Sequence, residues 1–373
     1  MKKIVFLRGQ EPNPRFCKRM DLLKNDFTSV LIYWEKNADN IEAFYMDKVK
    51  VHRVRFGADQ HNPIKRMWPY LQCKYKIIQI LKEEKPDMVY AEALDMLDIA
   101  CAYKLRIDKN VKIVYEIADL HRYIIDPPNG IVMKLIHNIL CNKDKSNCKK
   151  IELLVVTSEK FYDLYFSSFI PQKKMIFVPN MPNIQALQEY VPCHKEVPCT
   201  IGFVGRIRYI NECKLLIEAC KRTGWKAFFA GGESGTEIRT LCKQNGYEYL
   251  GEFDFSSQIK DIYGKCDVIY SVYDADMMNV RIALPNKLYE SIYCEKPIIV
   301  AKKTYLQEIV ERKGIGLAVE HDSLQEHIAA LNRLQEEKKL YKALCNNCKS
   351  HKLEIDETIY SSRLKEKIID LLL

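Results

Sequence analysis

Short apolar runs alternate with longer stretches of helical period along the whole chain. KIVFLR, VLIYWE, MVYAEA, KIVYEIAD and LLVVTSE read as strands in the first half. TIGFVG, KAFFAGG, YEYLGE, DVIYSVY and PIIVAK read as strands in the second. Between them, KLLIEACKR, SQIKDIYGKC, NKLYESIYC and LQEHIAALNRLQEEKKLYKAL place apolar residues at helical spacing. A strand covered by helices on both faces has no polar side to alternate with, so this pattern predicts parallel βα units. The expectation is an α/β protein of two Rossmann-like parallel-sheet domains facing a central cleft. Pro182, Pro192 and Pro198, following Pro179, interrupt NMPNIQALQEYVPCHKEVPC and disfavour any continuous helix or strand there. The predicted domains are therefore residues 1–190 and 198–354. The amphipathic segment 355–373 is expected to return to the first as a helix.

At 373 residues the chain is long enough for two cores of ordinary size. It contains no apolar run of about 18 residues, and the apolar part of KKIVFLRGQ is too short for a signal-peptide core, so a cytoplasmic protein is expected. The 14 cysteines are irregularly spaced and often sit in apolar runs, as Cys101, Cys220, Cys266 and Cys294 do, which points to reduced, buried thiols. CNNCKSH has no second pair at zinc-finger spacing, and no zinc site is expected. Residues 1–195 hold 32 Lys and Arg against 23 Asp and Glu, whereas the remainder is balanced, so the whole net charge of +9 lies in the first half. An anionic membrane surface or a diphosphate-bearing acceptor would account for it; a nucleic-acid partner is not expected. KVKVHRVRFG and PIKRMWPYLQCKYK interleave basic and aromatic residues, with Trp68, Tyr70 and Tyr75 beside Lys65, Arg66, Lys74 and Lys76. Such a face can rest on headgroups at the inner surface of the cytoplasmic membrane; the alternative is a solvated helix face with its aromatics in the core.

The candidate chemistry lies in the second half. In TIGFVGRIR, Gly205 lets backbone N–H groups approach an anion, and the guanidinium of Arg206 can hold phosphate oxygens or simply bridge surface carboxylates. AGGESG supplies a second glycine loop with Gly231 and Gly232, suited to phosphate or to a plain tight turn. PNKLYE places Asn286, Lys287 and Glu290 at the opening turn of a predicted helix that buries Leu288, Ile292 and Tyr293. This would leave the Glu290 carboxylate pointing out of the helix start toward the crevice, where it could accept two ribose hydroxyls, with Lys287 beside phosphate and Asn286 as cap or ligand contact. Asp274-Ala275-Asp276 imitates a metal-holding Asp-X-Asp pair, but arginine and backbone amides can replace a metal's charge, so no metal is expected.

From Ile201 onward these motifs, in this order, resemble the nucleotide-binding domain of family-4 glycosyltransferases, the glycosyl transferases group 1 with the GT-B fold. PNKLYESIYCEKPIIVAK is similar to their Pro-Asn-Lys-Leu-Phe/Tyr-Glu subgroup. In the first half NPRFCKRMDLL, VYEIADLH, VVTSEKFYDLY and the turn Val178 to Asn180 resemble further family segments in collinear order. The resemblance implies a retaining transfer of sugar from a nucleoside diphosphate donor, UDP-sugar favoured over GDP-sugar, to a glycan or lipid-linked glycan in capsule or surface polysaccharide assembly. It implies nucleotide-binding roles for Gly205, Arg206, Gly231, Asn286, Lys287, Leu288 and Glu290. It makes Arg206, Lys287 and Asp119 the catalytic candidates, without a separate cofactor. Three family positions differ: Asn211 stands for a lysine, Ile282 for a glutamate and Ala118 for a histidine. Lys287 could supply the first charge, Asp274, Asp276 or Asn279 the second contact, and His121 the third. These departures also suit a catalytically reduced nucleotide-sugar-binding partner subunit.

Overall fold

Runs rich in Val, Ile, Phe and Tyr cannot be left in water, and in a parallel sheet both of their faces are covered. The computed structural model describes residues 1–37, 44–58, 63–126 and 129–373. They form two units, Met1–Pro179 with Thr358–Leu373, and Asn180–Glu357. Among the described residues the first unit has seven strands: β1 Lys3–Arg8, β2 Thr28–Glu35, β3 Val49–Arg55, β4 Met88–Glu92, β5 Lys112–Ile117, β6 Leu153–Val156 and β7 Met175–Phe177. All pair parallel, in the order β3-β2-β1-β4-β5-β6-β7. The second unit has six: β8 Thr200–Val204, β9 Lys226–Ala230, β10 Glu248–Gly251, β11 Val268–Ser271, β12 Ile298–Ala301 and β13 Gly316–Val319. They are again parallel, ordered β10-β9-β8-β11-β12-β13. Each sheet thus reverses its strand order once, at β1/β4 and at β8/β11, and loops leaving the carboxyl ends at such a point diverge to form a crevice.

The second unit's core joins Phe203, Phe229, Trp225 and Tyr270 to Leu331 and Tyr341. In the first unit Ile4, Phe6, Phe16, Leu31 and Tyr90 pack with Leu364 and Ile368 of the last helix, Glu357–Leu372. Three strands went unread in the sequence. β3 occupies a sheet edge, where Lys50 and Arg55 meet solvent, and with Arg53 they disguise its alternation as a charged stretch. β7 is only 3 residues long, and β13 is an unflagged GLAV. LQEHIAALNRLQEEKKLYKAL forms two helices rather than one, Leu324–Glu336 and Lys338–Ser350, because Glu337 leaves the helical region at φ −92°, ψ 71°.

Candidate nucleotide site

Two glycine turns lock together past the ends of β8 and β9. Gly205 has φ +114° and donates its N–H to Ala230 O at 2.7 Å; Gly231 has φ +140° and donates to Gly251 O at 2.7 Å. A Cβ on Gly231 would stand 2.0 Å from Gly205 O, so an alanine cannot enter without moving backbone. Ile207 N–H continues the contact to Gly232 O at 2.9 Å, extending the sheet pattern into the loops. Between the turn and buried Ile207, Arg206 is exposed. Among the described residues its guanidinium forms no ion pair or hydrogen bond, so the alternative of a bridge between surface carboxylates is not what the fold builds.

Lys287 approaches this turn from the helix Asn286–Tyr293. Its Nζ donates to the Tyr273 hydroxyl at 2.7 Å and lies 4.3 Å from the Phe203 ring centre and 5.2 Å from that of Tyr273. A Cβ on Gly205 would be 3.3 Å from the same Nζ. The ammonium is therefore held on aromatic faces directly behind the glycine turn, and only 8% of the residue is exposed. No carboxylate lies within ion-pair distance of it among the described residues. Tyr209 packs against Tyr273, ring centres 4.9 Å apart and planes tilted by 39°, and completes the aromatic wall. A cation placed at the carboxyl ends of β8 and β11 without a fixed counter-charge is chemically suited to receive an anion.

Glu290 is 4% exposed, packed inward on the helix, and accepts a 2.5 Å hydrogen bond from the Tyr263 hydroxyl. Burial pushes its carboxyl above the usual range, and the Tyr263 hydrogen bond and Lys287 only partly offset this. Its helix has no fully solvated face: Lys287 through Ile292 are all buried, while Tyr293, expected in the core, is half-buried. Asn286 is not the cap. Pro285 occupies that position, Asn286 is the first helical residue, and its Oδ1 is buried with no hydrogen-bond donor among the described residues. Leu288 lies in the core, 2% exposed.

The loop after β11 carries Asp274, half-buried, and Asp276, exposed. The Asp276 N–H donates to Asp274 Oδ1 at 2.9 Å, turning the loop locally. His321 faces both, its Nε2 4.0 Å from Asp274 and 3.9 Å from Asp276, while its Nδ1 meets Glu212 at 3.2 Å. Glu212, Asp274 and His321 offer ligand atoms within 4.8 Å of one another, the arrangement here that could take a small cation. Asn211 is exposed at the start of the helix Ile210–Thr223, and Ile282 is buried. Sequence reasoning missed Phe203, Tyr263, Tyr273, Glu212 and His321. The aromatics sit in apolar runs that read as core, and the other two have no local motif.

Asp119 belongs to the first unit and is exposed in the bend past β5, with His121 exposed two residues on. Arg15, in the segment NPRFCKRMDLL, is not free to meet a ligand. It is buried and ion-paired with Glu92 and Glu116, while Arg8 pairs with Glu92 and Arg19 lies 3.4 Å from Glu116. Burial pushes Glu116 upward, but Arg15, Arg19 and the Tyr90 hydroxyl outweigh it and hold the carboxyl below its usual range. The network ties the helix Pro14–Leu23 to the ends of β4 and β5.

The glycine turns, the lone cations and the six-stranded order are the setting for the comparison with known proteins. Residues 193–351 match the family described as glycosyl transferases group 1. That match falls within the second unit. The run from Ile201 to Glu320 that carried the resemblance lies within that match. Over its whole length the chain has the GT-B fold. It is similar to the HepE protein of Anabaena solved with UDP, at TM-score 0.70 and 15% identity, covering 99% of this chain and 100% of that one. It is similar also to sucrose-phosphate synthase of Thermosynechococcus elongatus, at TM-score 0.73 and 11% identity, covering 100% and 99%. A curated relative, the succinoglycan biosynthesis protein ExoL of Rhizobium meliloti (strain 1021), is 23% identical over 251 residues, or 63% of this chain. The chain matches 61% of that relative's length. The candidate nucleotide-site residues named above, from Gly205 to Glu290, fall inside the matched segment.

Proposed function

We propose that the protein transfers a sugar from a nucleoside diphosphate sugar to a glycan or lipid-linked glycan, with retention of anomeric configuration. The observation that carries this reading is the pair Arg206 and Lys287, two cations without carboxylate partners among the described residues, the first following Gly205 in the chain and the second with its Nζ beside that positive-φ turn. A diphosphate leaving group needs charge stabilisation as its bond to the sugar breaks. Preorganised cations and backbone N–H groups supply that without a protein nucleophile. Lys287 then stands where the charge missing at Asn211 is needed. Glu290, fixed by Tyr263, keeps its second carboxylate oxygen for ribose, and the Asn286 Oδ1 offers a buried acceptor nearby in sequence. In the first unit, Asp119 is the candidate for work on the acceptor hydroxyl.

UDP is favoured as the nucleotide because the similar Anabaena protein has been solved with UDP and with UDP-glucose. Assembly of a surface polysaccharide such as capsule is favoured by the relative named for succinoglycan biosynthesis. The reaction is proposed to need no metal, since the two cations carry the neutralising role; undiminished turnover in excess chelator is the expected result, and loss restored by manganese would refute it. The proposed location is the cytoplasm, at the inner face of the membrane; no described helix is long and apolar enough to cross one.

Thermal stabilisation of the purified chain by UDP, GDP and ADP, each with and without sugar, tests the donor. A shift with none of them would sink the reading. Buried Ile282, in place of a family glutamate, favours a second reading, a binding subunit with reduced catalysis. Transfer of radiolabelled sugar by the isolated chain decides between the two.

A further inference from the structure

We propose that one face of the first unit, built by the helices Pro63–Glu84 and Ile131–Cys148, docks on an anionic lipid bilayer. Each helix leaves in solvent an apolar stripe that a globular helix would bury. Met67, Trp68, Leu71 and Tyr75 on the first, and Ile131, Val132, Leu135 and Ile139 on the second, are between 48% and 89% exposed. Both stripes follow the spacing i, i+1, i+4, i+8, which keeps their members on one helix face. Exposed apolar area of this extent marks an interaction surface.

The stripes belong to one surface. Lys74 from the first helix and Lys143 from the second reach the same oxygen of Asp98, at 2.6 and 3.0 Å. Lys143 stands one turn beyond Ile139, and Lys74 adjoins Tyr75, so the stripes run side by side over this carboxylate.

Charge selects the occupant. No Asp or Glu occurs from Pro63 to Lys82 or from Ile131 to Lys143, whereas Lys65, Lys76, Lys82 and Lys134 stand exposed. A cavity of about 330 Å³ beside the first stripe is lined by His52, Arg53, Arg55 and Lys76, with Glu83 also in its wall. An apolar face rimmed by one sign of charge fits an apolar phase with the opposite charge at its edge, which is an anionic leaflet. Two copies of the face would set like charges against each other, so a second copy fits poorly. Trp68 and Tyr75 are the residue types that settle at the headgroup level.

This inference deepens the acceptor side of the proposed transfer and rests on it for its biological sense. Vesicle binding is read without donor or acceptor, so it fails separately from glycosyl transfer. The full chain is mixed with vesicles of phosphatidylcholine alone or of equal parts phosphatidylcholine and phosphatidylglycerol, and the vesicle-bound fraction is measured across salt. Binding should require phosphatidylglycerol and weaken with salt. Each surface cation is worth about a fivefold gain in partitioning, so Lys76→Gln with Lys134→Gln should lower it about 25-fold. Trp68→Ala with Ile139→Ser should lower it at least about tenfold, at an unchanged thermal midpoint because both side chains are exposed. If that pair disturbs folding, the lysine pair still decides. Equal binding by wild type and both variants, or indifference to phosphatidylglycerol, overturns the proposal. So does a dimer in sedimentation velocity that Trp68→Ala abolishes, which would assign the face to a second copy.

Discussion

Replacing Lys287 with methionine keeps most of the side chain's length and its apolar stem while deleting the charge. In the fold that charge rests on one hydroxyl and two aromatic faces, with no carboxylate in reach among the described residues. A desolvated cation–π contact contributes about 2 kcal/mol and a hydrogen bond from a charged donor about 1.5–3 kcal/mol. Against these stands a desolvation cost of several kcal/mol for a residue only 8% exposed. The terms nearly cancel, so Lys287→Met should leave unfolding free energy within about 1 kcal/mol of wild type. The ligand side does not cancel. A charge-assisted contact to phosphate at about 2–4 kcal/mol corresponds to a roughly 30- to 1,000-fold loss of UDP affinity. Urea unfolding and calorimetric titration with UDP, run on the same preparations, separate the two quantities. A variant that loses about 3 kcal/mol of stability but binds UDP as wild type would show that Lys287 is a structural lysine.

Arg206→Ala should not change the melting temperature, since the guanidinium is exposed and makes no contact to lose, yet UDP affinity should drop about 10- to 100-fold; equal affinity would remove Arg206 from the site. Gly231→Ala forces a Cβ toward Gly205 O at a φ of +140° and should cost at least about 1–3 kcal/mol in urea unfolding while abolishing UDP binding, and wild-type stability would show that the interlock is soft. Glu290→Gln probes the raised carboxyl. In the fold this group keeps its proton to higher pH than in the unfolded chain, so its share of stability is complete in acid and is lost as pH rises from the ordinary value of 4.5 through the folded one. The glutamine variant lacks that loss, and its melting temperature relative to wild type should climb above pH 4.5; parallel pH curves would refute the burial account.

β8, β9, β11 and β12 of the second unit were legible because each is a short, unbroken apolar run ended by glycine or by a polar loop. Their order within the sheet was not. PNKLYE also announced its helix. What could not be read was direction and reach. The contact between Lys287 and Gly205 joins residues on different elements, and no local period says that an ammonium will stop on the faces of Phe203 and Tyr273. The partner of Glu290 could not be read either, because Tyr263 comes from another helix. β3 shows the converse failure: VKVHRVR carries strand alternation, but its charges dominated the reading. The burial of Arg15 was not legible, because Glu92 and Glu116, which pair with it, lie far along the chain.

The placement of Leu364 and Ile368 in the first unit's core has a consequence for synthesis. That core is complete only after the final helix has left the ribosome, whereas the second unit, Asn180–Glu357, has all of its residues earlier. The part translated first is thus the part finished last, and residues 1–179 must wait with Ile4, Phe6 and Leu31 incompletely covered. A chain stalled or cleaved before Leu364 would hold every residue of the second unit beside a first unit whose core lacks Leu364 and Ile368.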